Sequence, residues 1–391
     1  AITFREVGLI YDQKNTSVGR KQYIAEVVAH ELAHMWFGNL VTMKWWNDLW
    51  LNESFATWMA IKVVAHHYPE WEFWNQFLSG DTASAMALDS LKTSHQIDAD
   101  VKTPHEVNEI FDKISYDKGA SLMRMLETFL GEEVFRAGLQ KYISTHKYSN
   151  TTANDLWSAL EDCSKIPVAK IMNSWLKQTG YPIIDVKLEG QKLLLSQKRF
   201  LLEPEKEDKS IWAIPLTIVT DSGEEISVLM EEKKKEVKLK QKASWVKLNH
   251  GQAGFYRAKY DKKVLDVLKL QVKEKKLGMQ DRWGLQHDLW AIAKACEVPA
   301  SDYLDFIDAY ESDSEFIICQ DIAGRLAGLY NMAHGTLQES AKKHGLEYCS
   351  RLFAGIGWDK KRKEQENTAM LRSQLISALG LFGEHPVLAE G

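Results

Sequence analysis

The sequence predicts a multidomain chain: a mainly helical first part over 1–178, a small β-sandwich over 179–261, and the start of an α-helical domain over 262–391. Three observations carry this reading. A length of 391 residues exceeds the usual domain size of about 150 and allows two or three cores. Nine of the 14 tryptophans and seven of the 12 histidines fall before residue 178, in stretches where apolar residues recur with a helical period, so the chemistry is expected there. After Thr179-Gly180-Tyr181-Pro182 the pattern becomes short alternating segments split by turn and charge clusters, and from about residue 261 it returns to helices.

In chain order, residues 1–12 alternate as a short strand. Residues 20–37 form the first clear helix, with Gly38-Asn39 as its stop signal, and 48–68 form a second, ended by Pro69. In the middle part, 183–188, 193–196, 214–220 and 245–248 read as strands. The charge runs 203–209 and 231–240 carry both signs and read as solvated loops or an edge strand protected by lysines. In the last part, 281–296, 316–330 and 335–353 read as helices of a solenoid or bundle, without a clean repeat period. The chain starts on alanine, and a further helix signal follows Pro386, so it reads as a piece of something longer.

Charge and composition exclude several classes of function. Lys and Arg number 49 against 54 Asp and Glu, and a net charge of -5 over this length gives no electrostatic reason to expect nucleic acid. No run of 18 apolar residues occurs, and the start lacks the layout of a signal peptide, so no membrane segment is expected. Cys163, Cys296, Cys319 and Cys349 are too few and too scattered for a disulfide framework and are expected to be reduced, as in an intracellular protein.

His30-Glu31-Leu32-Ala33-His34 fits His-Glu-x-x-His inside a helical stretch with neither Gly nor Pro between Lys21 and Phe37. Residues four apart share one helix face, so both imidazoles can reach one ion. A catalytic zinc takes three protein ligands and leaves a position for water. Glu53, on the next helix, is the best third ligand, because Ala56, Thr57 and Ala60 on its face are small enough to let the two helices approach closely. Glu31 sits about 100° around the helix from His30, where it can reach a water rather than the ion. Its natural role is general base in metal-assisted amide hydrolysis; the competing role is to hold an imidazole. Trp36, Trp45, Trp46, Trp50 and Trp58 flank these helices and are expected to be mostly core, while His66, His67 and His105 lack partner spacing and are expected at the surface or behind the ligands.

The residues from His30 through Phe37-Gly38-Asn39-Leu40-Val41-Thr42-Met43, with Trp45-Trp46-Asn47-Asp48-Leu49-Trp50-Leu51-Asn52-Glu53-Ser54-Phe55-Ala56, closely resemble the gluzincin zinc aminopeptidases of the M1 family. The resemblance implies a thermolysin-like first domain, one zinc ion per chain on His30, His34 and Glu53, and Glu31 as base. It extends to Ser115-Tyr116-Asp117-Lys118-Gly119-Ala120, where it implies that the Tyr116 phenol donates to the oxyanion of the tetrahedral intermediate. Gly254-Phe255-Tyr256-Arg257-Ala258-Lys259-Tyr260-Asp261 resembles the closing strands of the sandwich in four-domain members, and Asp281-Arg282-Trp283-Gly284-Leu285 the entry to their superhelical domain.

The expected activity is therefore removal of N-terminal residues from peptides with a free amino terminus, in the cytoplasm. In the family, a Gly-Ala-Met-Glu-Asn loop that holds the substrate amine precedes a strand like the one at the start of this chain, so exopeptidase character rests on the resemblance. Ser54, where many relatives have glycine, resembles microbial and archaeal members, including those that work alongside a peptide-generating protease. A non-catalytic scaffold relative and a thermolysin-like endopeptidase are the alternatives.

Overall fold

The computed structural model describes residues 2–103, 105–203, 208–362 and 364–384. The helix signal after Pro386 and most of the charge run 203–209 lie outside the described residues.

The first part is built on two helices, α1 (Val18–Ala33) and α2 (Trp50–His67), packed side by side. Ser17 starts α1 by accepting a hydrogen bond from the Arg20 amide, so the helix begins two residues earlier than its apolar pattern suggests. It also ends earlier, because the chain turns back over residues 34–38 before reaching the Gly38-Asn39 stop. The strand expected over 1–12 is absent among the described residues; a single 3₁₀ turn, Glu6–Gly8, stands there, with no neighbouring strand to pair with. Between the two helices, β1 (Val41–Met43) pairs in parallel with β2 (Ser149–Thr151).

After α2 come α3 (Phe73–Phe77) and α4 (Ala83–Asp89), joined by the π-helical turn Leu78–Thr82, then a second π-helical turn, Ile114–Lys118. Four helices follow: α5 (Gly119–Leu130), α6 (Glu132–His146), α7 (Ala153–Ser164) and α8 (Val168–Leu176). Trp50 of α2 stacks on Trp157 of α7, ring centroids 5.5 Å apart, with both side chains fully buried. Trp58 is also core, whereas Trp36 and Trp45 are about half exposed, so the expectation of buried tryptophans fails for those two.

Strands take over at Pro182. β3 (Pro182–Glu189) pairs antiparallel with β4 (Lys192–Arg199), and β5 (Ile214–Thr220) pairs with β6 (Glu225–Met230). β7 (Lys234–Lys238), β8 (Val246–Leu248) and β9 (Arg257–Tyr260) complete a four-stranded sheet ordered β7-β4-β3-β9 and a three-stranded sheet ordered β6-β5-β8. The lysine-rich run thus forms an edge strand, where charge discourages pairing with another chain. Ile183, Leu193 and Val237 from one sheet and Ile214, Leu216 and Leu248 from the other join the apolar core that begins at Phe37 and Trp50.

The remaining elements are helices: α9 (Lys262–Lys273), α10 (Met279–Lys294), α11 (Ala300–Ile307), α12 (Phe316–Met332), α13 (Thr336–Ile356) and α14 (Glu366–Phe382). They enclose a second core around Ile318, Ala323, Leu326 and Leu375. This helical array folds back onto the first part. Gln22 of α1 donates to Asn367 of α14 (3.1 Å), and the Trp71 indole donates to Glu366 (2.7 Å). No described helix is long and apolar enough to cross a membrane.

Candidate metal centre

The helical period of α1 brings His30 and His34 onto the face that meets α2, and Glu53 stands in the first turn of α2. Ala56 and Ala60 are fully buried at the helix–helix contact, which permits the close approach that a short carboxylate needs. His30 Nε2 lies 3.1 Å from His34 Nε2 and 3.3 Å from Glu53 Oε2, and His34 Nε2 lies 3.4 Å from the same oxygen. A tetrahedral ion at about 2.0–2.1 Å from its ligands keeps those ligands about 3.3–3.4 Å apart, so the triangle has the right size for zinc.

The outer nitrogens are engaged as well. His34 Nδ1 donates to the Phe37 carbonyl (3.0 Å), which leaves Nε2 aimed at the centre. His30 Nδ1 faces the Thr57 hydroxyl at 3.4 Å. The Phe37 carbonyl is in reach because the chain reverses at Gly38, whose φ of +138° suits glycine. Burial alone would raise the Glu53 carboxyl, but its hydrogen bonds to His30 and His34 hold it down at about 2. Burial likewise opposes a charge on His34, yet Glu53, the Phe37 carbonyl and Glu31 together raise its pKa.

Glu31 is half-buried and close enough to bear on both His34 and Tyr116. Tyr116 reaches the centre from the π-helical turn Ile114–Lys118, its ring nearly parallel to that of His30 with centroids 6.0 Å apart. Burial and the neighbouring Glu53 and Glu31 carboxylates push its phenol well above the usual tyrosine range, so it stays protonated and able to donate. All five residues singled out in the sequence therefore converge on one place. His66, His67 and His105 are exposed and take no part. A cavity of about 1430 Å³ lies elsewhere: it follows the side of α1 that carries Ala25, Val28, Leu32 and Trp36 and is lined as well by residues of α2 and α6.

Sequence reasoning did not single out Thr57 as a partner for His30, nor the residues that hold the Tyr116 turn. Lys118 pairs with Asp89 in a fully buried ion pair (2.7 Å) and donates to the Gly180 carbonyl (3.0 Å). Ser54, next to Glu53, donates to the Ser115 carbonyl (2.7 Å). A Cβ at Gly119 would collide with the Ser54 hydroxyl, which explains the glycine there.

Two imidazoles and a carboxylate converging on one point, with a free carboxylate and a phenol beside them, form the donor set of a metallohydrolase. Comparison with known proteins narrows the class. A Peptidase family M1 domain matches residues 1–175, and an ERAP1-like C-terminal domain matches residues 245–391. The chain is 41% identical over 385 residues to tricorn protease-interacting factor F2 of Thermoplasma acidophilum, covering 98% of this chain and 47% of that protein. It is 39% identical over 408 residues to aminopeptidase M1 of Arabidopsis thaliana, covering 100% of this chain and 46% of the relative. Probable aminopeptidase 2 of Sulfurisphaera tokodaii is 41% identical over 332 residues, 85% of this chain and 41% of its own length. The chain belongs to peptidase family M1. It spans about half the length of the curated relatives it matches.

Proposed function

We propose that this chain forms the hydrolytic part of a zinc aminopeptidase that removes N-terminal residues from peptides. The observation that carries the proposal is the triangle of His30 Nε2, His34 Nε2 and Glu53 Oε2, with sides of 3.1 to 3.4 Å, beside Glu31 and Tyr116. Bound there, zinc supplies a Lewis acid that acidifies water and polarises a substrate carbonyl. His30, His34 and Glu53 hold it, with Thr57 and the Phe37 carbonyl orienting the imidazoles. Glu31 accepts the proton of the attacking water and passes it to the departing amine. Tyr116 donates its phenol hydrogen to the oxygen on which negative charge develops, a contact present only as the carbonyl becomes tetrahedral.

The domain division is proposed at 178/179 and 261/262, with a thermolysin-like first domain. Aminopeptidase specificity draws on the names of the Arabidopsis and Sulfurisphaera relatives. The relatives named tricorn protease-interacting factor support cooperation with a peptide-generating protease, and the four free thiols suit a cytoplasmic setting. The test is the metal content of the purified protein. About one zinc per chain is expected, retained in Glu31→Gln and lost in His34→Ala. Zinc retained in His34→Ala, or lost in Glu31→Gln, contradicts the assignment of ligands and base.

A further inference from the structure

We infer that Asp112, paired with His95, is a positioning residue for Tyr116: it caps the π-helical turn that carries the phenol and so fixes where the oxyanion donor stands. The inference rests on the role proposed above for Tyr116. One carboxylate oxygen of Asp112 accepts hydrogen bonds from the amides of Ile114 (2.9 Å) and Ser115 (3.3 Å), the first donors of the turn. The Asp112 carbonyl accepts from the amide of Tyr116 itself (3.1 Å). Its other carboxylate oxygen is 3.0 Å from His95 Nε2, while His95 Nδ1 is anchored on the Gln96 carbonyl (2.8 Å). The His95–Asp112 pair is thus held on both sides, on the backbone of 95–96 and on the turn.

A π-helical turn needs such an anchor. Its ring closes over five residues, from the Lys118 amide to the Lys113 carbonyl (2.9 Å), a wider and less favourable winding than the α-helix α5 that follows. The first amides of a turn have no partner within it, and a side-chain acceptor there selects one conformation. The far end of the turn is fixed by the Lys118–Asp89 pair and its middle by Ser54. Asp112 supplies the near end, two residues before Ile114 and four before Tyr116. The Asp112 hydrogen bond and charge raise the His95 pKa, with Lys118 opposing. Burial disfavours the Asp112 carboxylate, but His95 and the two amides hold its pKa down. Both shifts favour the charged forms of the pair.

The experiment is a double-mutant cycle in the full-length protein, using Asp112→Ala and Tyr116→Phe singly and together, with kcat, KM and zinc content measured for each. Asp112→Ala is expected to lower kcat about 10- to 100-fold, the usual scale for a residue that orients a catalytic group. KM should move less than about twofold, and zinc should stay at one per chain. In the Tyr116→Phe background, Asp112→Ala should cost less than about a further twofold, because there is no phenol left to place. Asp112→Asn keeps an amide-capping acceptor and should recover at least about half of kcat. The inference is overturned if Asp112→Ala leaves kcat intact, if its cost is the same in both backgrounds, or if Asn is as poor as Ala. If Asp112→Ala does not fold, His95→Ala in the two backgrounds decides, with a loss of about threefold or more expected only where Tyr116 is present. A normal kcat in Tyr116→Phe would overturn both the role of Tyr116 and this inference, whereas a low one with no effect of Asp112 overturns the inference alone.

Discussion

Removing one oxygen from Tyr116 separates its packing from its chemistry. Tyr116→Phe keeps the ring beside His30 but loses the donor, so kcat should fall about 10²- to 10³-fold while KM stays within about twofold in steady-state kinetics. Glu31→Gln keeps shape and removes the base, and kcat should fall about 10²- to 10⁴-fold. Thr57→Val tests how the ligands are held. It preserves volume, removes the hydroxyl that faces His30 Nδ1, and should weaken zinc affinity about 10- to 100-fold in a chelator competition. The meeting of His30, His34 and Glu53 was legible because the two histidines stand four apart on one helix and the small residues on the face of Glu53 let the next helix approach. Thr57, the Phe37 carbonyl and Asp112 were not, since Thr57 meets His30 from another helix, the Phe37 carbonyl meets His34 across a chain reversal, and Asp112 meets His95 from 17 residues away.

At the scale of elements, α1 and α2 carry the centre and the π-helical turn Ile114–Lys118 packs against α2 beside it. The buried Lys118–Asp89 pair ties the Tyr116 turn to α4 and, through Gly180, to the approach to the first sheet. Lys118→Met leaves Asp89 buried without its cation and should cost about 3–5 kcal/mol in denaturant unfolding. Length and bounding breakers such as Pro69 made α2, α10 and α12 legible within a few residues, and alternation made β3 to β5 so. The ends of α1 were not, because Ser17 and the reversal at 34–38 set them rather than the apolar pattern. Residues 2–12 alternate like a strand, but alternation without a pairing strand leaves only a 3₁₀ turn. Strand β6 is half exposed and poorly patterned, and only its pairing with β5 defines it.

Across the whole molecule, acidic groups from three elements meet in a partly buried space: Glu26 on α1, Asp81 between α3 and α4, and Asp117 beside Tyr116. Burial and then mutual repulsion push Glu26 up to about 7 and Asp81 up to about 8, with Lys113 partly relieving Asp81. Both values exceed those of an unfolded chain, about 4.3 and 3.9. Their stabilising contribution is therefore complete below about pH 4 and is lost progressively as pH rises towards 7 to 8. Asp81→Asn should accordingly raise Tm more at pH 8.5 than at pH 4, as read by calorimetry at the two values. Equal gains at both would mean that the carboxyl does not titrate there. The two sides of α1 also differ: His30 and His34 meet Glu53 of α2, while Ala25, Val28 and Leu32 line the apolar groove of about 1430 Å³.

The proposed activity is that of a zinc-dependent exopeptidase built on His30, His34, Glu53, Glu31 and Tyr116. Its most direct test is the rate at which the full-length protein hydrolyses a leucyl anilide, measured before chelation, after chelation, and after return of one equivalent of zinc, with the N-acetylated substrate alongside. Loss on chelation, recovery with zinc, and turnover of the free-amine substrate alone are expected. A rate indifferent to zinc, or equal rates on both substrates, would contradict it.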